Sequence, residues 1–82
     1  MRLNNFETKT TGVADVAFTA IGETEVTVIC GTYSQFLAVN TTATTSSALF
    51  PVNSVTKITI NPGDVIHALS HGGAGGIVTL VY

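Results

Sequence analysis

Charge is what this chain of 82 residues has least of. Three Lys and Arg and five Asp and Glu make 10% charged residues, against about 25% in an average soluble protein. The three basic residues, Arg2, Lys9 and Lys57, are scattered, so they build no positive surface that neutralises phosphates, and nucleic acid is excluded as a partner. Long apolar runs are missing as well. Mean hydropathy is +0.46, yet no stretch approaches the ~18 consecutive apolar residues of a membrane helix, and no membrane partner is expected. Disorder is excluded by the opposite argument: disordered chains pair low hydrophobicity with high net charge, whereas this one is 45% hydrophobic with a net charge of −2. The only cysteine, Cys30, cannot close an intramolecular disulfide or build a structural zinc site alone. Within the apolar run Val26-Thr27-Val28-Ile29-Cys30 it reads as a small buried hydrophobe. Met1 to Asn5 leads into polar residues and not into the apolar stretch of a secretory signal. The sequon Asn40-Thr41-Thr42 therefore reads as a polar turn, and synthesis in a cytoplasm is expected.

Small size sharpens the question raised by low charge. For 8.5 kDa the folded surface is expected at roughly 4,600 Å² against roughly 12,000 Å² unfolded, so about 62% is buried on folding. That makes one domain with a thin core, for which assembly with neighbours is the natural aid.

What the chain does have is Thr, Val and Ile, β-branched residues that suit a pleated surface, in period-two alternation. Ala14, Val16, Phe18 and Ala20 share one face of a first strand, and Val26, Val28 and Cys30 share one face of a second. Phe36 to Val39 is apolar on both sides, as in a covered central strand. Leu49-Phe50-Pro51-Val52 reads as a short edge segment, since proline does not sit in a central strand. Thr56, Ile58 and Ile60 face one way, and Val55, Lys57 and Thr59 the other. Asn61-Pro62-Gly63-Asp64 has turn chemistry, with proline presetting φ and glycine accepting positive φ. Residues 64–70 and 76–82 close the list. The expected fold is all-β: one small antiparallel β-sandwich, jelly-roll-like, of about six to seven short strands. The polar residues 1–11 are set apart as an N-terminal arm before a sandwich domain spanning 12–82, and they read equally as an ordered edge strand, a frayed terminus or a segment that docks on a neighbour.

No constellation carries chemistry. The glycines from Gly72 to Gly76 precede a strand without a following lysine, which is not a phosphate loop. His67 and His71 stand about 13 Å apart in a strand, too far to share a metal without a bend. Ser70, His71 and Asp64 make a triad only on paper, and Glu23 with Glu25 reads as a solvated, charge-guarded edge. The expectation is therefore a non-enzyme with no cofactor and no metal. A carbohydrate platform has only Tyr33, Phe50 and Tyr82 to draw on, with no Trp.

A surface rich in Thr, Ser, Ala and Gly and poor in charge suits permanent contact, because interface cores are depleted in charge. The turn and strand Asn61-Pro62-Gly63-Asp64-Val65-Ile66, the Thr-rich middle and the glycine-rich hairpin closing on Val78-Thr79-Leu80 resemble small virion proteins of tailed bacteriophages, in particular capsid decoration, or cement, proteins. The resemblance implies a small β protein, often a homotrimer, bound outside the head where it clamps neighbouring major capsid proteins. Two alternatives stay open: a tail, collar or fibre structural component, and a carbohydrate-binding β-sandwich module. The segments with least reason to be buried are the expected contacts with the major capsid protein or sister subunits. They are Arg2, Leu3, Phe6 and Lys9 of the arm, Thr41, Thr42, Thr44 and Thr45 of the middle loop, and His71, Gly72 and Gly73 of the glycine loop.

Overall fold

The computed structural model describes residues 5–82; Arg2 and Leu3 of the expected arm lie outside the described residues. Eight strands form: β1 (Phe6–Thr11), β2 (Val16–Ala17), β3 (Glu25–Cys30), β4 (Gln35–Val39), β5 (Ala48–Phe50), β6 (Val55–Thr59), β7 (Ile66–Ser70) and β8 (Gly76–Val81). They build two antiparallel sheets, β1-β8-β3-β6 and β2-β7-β4-β5, and the domain is an all-β sandwich. The pairing is nested: β1 with β8, β2 with β7, β3 with β6 and β4 with β5. Two further pairings, β3 with β8 and β4 with β7, join these strand pairs into sheets.

Two sequence expectations change. The boundary after residue 11 falls inside the sandwich, because residues 6–11 pair with β8 along their whole length. This edge strand raises the count to eight. The broad strand expected around Val16 shrinks to β2, and only Phe18 of its alternating set is fully buried. Past β2 the chain leaves regular pairing, although the Phe18 amide still donates to the Ile66 carbonyl at 2.9 Å.

Elsewhere period two decides the faces. Val26, Val28 and Cys30 of β3 and Val78 and Leu80 of β8 point inward, against Leu37, Ile66 and Ala68 of the other sheet. Phe18, Ile21 and Ile60 close one end of this core. The other end is closed by polar side chains: Thr11 Oγ1 donates to Gln35 Oε1 at 2.9 Å, and Gln35 is fully buried. The total exposed surface, 4362 Å², lies close to the size-scaling expectation.

Nested pairing sorts the connections. Residues 12–15, 31–34, 51–54 and 71–75 link β1 to β2, β3 to β4, β5 to β6 and β7 to β8, all at one end, here the loop end. The amide of Ser70 donates to the Gly12 carbonyl, His71 to Ser34, and Ile77 to Thr32, which ties these loops together. The opposite end holds residues 18–24, 40–47 and 60–65 with Asn5 and Tyr82. There the Asn61 to Asp64 turn closes as expected, with Gly63 at φ +92° and the Asp64 amide donating to the Asn61 carbonyl at 3.0 Å.

Candidate interaction surface

The tips of the loop end, residues 12–14, 31–34, 51–54 and 71–75, contain no Lys, Arg, Asp or Glu. They do contain Val13, 86% exposed, together with exposed Tyr33 and Val52. Val55 and Ile77, the exposed first or second residues of β6 and β8, continue this apolar surface onto the outer face of the first sheet. These exposed apolar side chains on uncharged tips make the loop end the candidate for a contact surface.

The surface is held in shape. Tyr33 adopts φ +68°, a left-handed conformation that a bulky residue rarely takes. Its ring lies on the backbone of Gly72, where an added Cβ would fall 2.2 Å from Tyr33 Cδ1. Only glycine fits beneath that ring. Gln35 Nε2 reaches the carbonyls of Thr32 and Tyr33 at 3.4 and 3.5 Å, so the buried amide braces the Tyr33 loop from below. Gly76 makes room for this brace: a Cβ there would lie 2.3 Å from Thr11 Oγ1 and 2.6 Å from Gln35 Nε2. The glycine-rich segment is thus shaped by close approach within its own chain. His71, exposed at the start of the segment, packs edge-on against Phe36 with ring centroids 5.5 Å apart.

The structure separates the expected contact residues. His71, Gly72 and Gly73 lie at the loop end, whereas Thr41, Thr42, Thr44 and Thr45 belong to the β4–β5 connection, which starts at the opposite end and runs to Asp15. Phe6 and Lys9 belong to β1, with Phe6 on the outer sheet face and Lys9 turned inward.

The middle loop is less free than its composition suggests. Ala43 is buried, and its amide donates to Asp15 Oδ1 at 2.8 Å. The other carboxylate oxygen, Asp15 Oδ2, sits 2.9 Å from His67 Nδ1. Residues 40–47 therefore strap across the outer face of the second sheet, held by a histidine–aspartate pair that sequence reading did not find. The two residues are 52 positions apart, and only the β2–β7 pairing brings them together. Asp64 lies at the far end of β7 from Ser70 and His71, bonded to Asn40 Nδ2 and the Asn61 amide, so that triad does not assemble. Lys57 meets Glu25 at 3.3 Å. Among the described residues, no three His, Cys, Asp or Glu side chains are grouped to hold a metal ion. Burial raises the Cys30 thiol pKa above its ordinary value of 9.0, partly offset by a hydrogen bond with Ser54. A thiol kept protonated in the core is a packing residue and not a nucleophile.

What these features define is a small β-sandwich with one end whose tips carry no Lys, Arg, Asp or Glu and expose Val13, Tyr33 and Val52. No family model matches the chain, and neither does any curated protein or solved structure.

Proposed function

We propose that this protein is a non-catalytic structural component of a tailed-phage virion. It sits on the capsid exterior as a homo-oligomer and stabilises the shell by bridging neighbouring major capsid proteins. The observation that carries this reading is the uncharged loop end with Val13, Tyr33 and Val52 exposed on a braced scaffold. An exposed tyrosine packed on Gly72 and braced by Gln35 is the kind of residue that dominates interface energies. The nested strand pairing, which we read as a jelly-roll winding, supports it too, since that architecture recurs in capsid proteins. The loop end is assigned to the capsid. The trimer is an expectation carried by resemblance alone.

Co-sedimentation with purified shells of the phage encoding the chain tests the proposal. The wild type should bind, and Tyr33→Ala combined with Val13→Asp should lower affinity by about 30-fold or more. Thr41→Ala with Thr44→Ala, on the β4–β5 connection, should leave it unchanged. Failure to bind shells, together with retention on glycan resin, sinks the reading in favour of a carbohydrate-binding sandwich.

A further inference from the structure

The free edge of β1 is complementary to itself. In the β1–β8 ladder the Tyr82 amide donates to the Asn5 carbonyl at 2.8 Å. By antiparallel alternation Asn5, Glu7, Lys9 and Thr11 direct their backbone groups at β8, and Phe6, Thr8 and Thr10 direct theirs at the open edge. No other strand pairs with that edge among the described residues. An incoming strand must bond to Phe6, Thr8 and Thr10, and this restricts the register. If the strand is β1 of a second copy on a two-fold axis through Thr8, then Thr8 faces Thr8, Phe6 faces Thr10, and Glu7 faces Lys9 twice. The neighbouring admissible registers put Glu7 against Glu7 or Lys9 against Lys9. Like charges directly opposite are destabilising and opposite charges stabilising, so a single register is favoured.

We propose that the partner of this edge is a second copy of the chain, paired antiparallel through β1, so that two four-stranded sheets join into one continuous sheet. Three observations support this occupant. Glu7 and Lys9 already lie side by side at 3.7 Å on the inner side of the strand, aligned for exchange with a symmetric partner. The chain beside this flank offers only small exposed side chains, Ala17 of β2 and Thr19 and Ala20 of the connection after it, with Thr19 donating to the Glu7 carboxylate. Phe6, 58% exposed, gains a cross-strand neighbour. The opposite edge of the same sheet behaves differently. Lys57 stands at the middle of β6, where two-fold pairing along the full strand sets it against its own copy, a recognised defence of an edge. This inference concerns self-association alone and stands whether or not the protein binds a capsid.

A strand edge of this length buries less than the ~800 Å² per partner of a standard interface, so sedimentation should be run near 100 µM chain, on the order where weak pairs form. The wild type should then be a dimer. Glu7→Lys and Lys9→Glu, each alone, place like charges opposite each other at both symmetric positions, and should weaken the dimer about tenfold or more. An equimolar mixture of the two variants restores every opposite-charge contact and should recover the dimer as a 1:1 heterodimer. Thr8→Pro removes an amide that β8 does not use, is compatible with an edge strand, and should abolish dimerisation with the β circular dichroism intact. Thr8→Val should still dimerise. A wild-type monomer or trimer at that concentration overturns the proposal. So do single variants that dimerise normally, or a mixture that fails to recover while both variants keep their fold.

Discussion

The brace beneath Tyr33 makes a quantitative prediction. Gly76 is buried and faces Thr11 Oγ1, Gln35 Nε2 and Ser70 Oγ at 2.3, 2.6 and 3.0 Å from an added Cβ. Gly76→Ala overfills that space, at about 1–3 kcal/mol, against a gain of about 0.4–1 kcal/mol from a less flexible unfolded chain. The net loss is about 1–2 kcal/mol. Gln35→Ala removes the acceptor of the Thr11 hydroxyl and leaves a cavity, for about 2–3 kcal/mol. With Gln35 shortened, the Thr11 hydroxyl is free to turn, and the methyl group introduced by Gly76→Ala occupies vacated space. The double variant should therefore lose about 1 kcal/mol less than the sum of the singles, the coupling expected of touching residues. Guanidinium unfolding followed by far-UV circular dichroism measures all four corners of the cycle. In thermal melts each kcal/mol corresponds to about 4–8 °C for a domain of this size. Additivity within about 0.5 kcal/mol, or a neutral Gly76→Ala, would refute the close approach that underlies the brace.

Other consequences follow from single positions. Because Tyr33 sits at φ +68°, Tyr33→Gly should be more stable than Tyr33→Ala by about 1 kcal/mol, although both lose the ring over Gly72; chemical denaturation compares them. Asp15→Ala releases both the Ala43 amide and His67. It should destabilise by about 1–3 kcal/mol and raise hydrogen exchange selectively in residues 40–47. The raised Cys30 pKa implies slow alkylation by iodoacetamide at pH 8 in the native protein and fast alkylation in denaturant. By linkage the same shift gives stability that is fully present below pH 9.0, the ordinary thiol value. That stability is lost as pH rises from there through the higher folded value, because only the unfolded thiol ionises early. A Cys30→Ser variant should lack that alkaline loss.

The strands were legible where one face enters the core. Val26, Val28 and Cys30, Thr56 to Ile60, and Val78 with Leu80 alternate in sequence as they do in space. β1 defied this reading because its alternation runs the other way, with Phe6 outside and Glu7 and Lys9 on the inner side, where Glu7 accepts from the Thr19 amide and hydroxyl. A charged inner face at the open flank of a sandwich is physically sound, but it looks like a polar arm when only sequence is read. Gln35 was passed over for a similar reason: a polar residue beginning an apolar run gives no hint that it is fully buried and bonded to Thr11, 24 residues away. Of the contact surface, the glycine loop was visible in the sequence. Its company was not, because only nested pairing brings the loops of Val13, Tyr33 and Val52 to the same end.

The central claim is that the loop end meets the virion shell, and a cryo-electron-microscopy reconstruction of decorated capsids tests it most directly. The map should show density for this sandwich outside the shell at contacts between major capsid proteins, with Val13, Tyr33 and Val52 facing the shell. Capsids lacking that density, or a sandwich docked through residues 40–47 with the loop end in solvent, would contradict it.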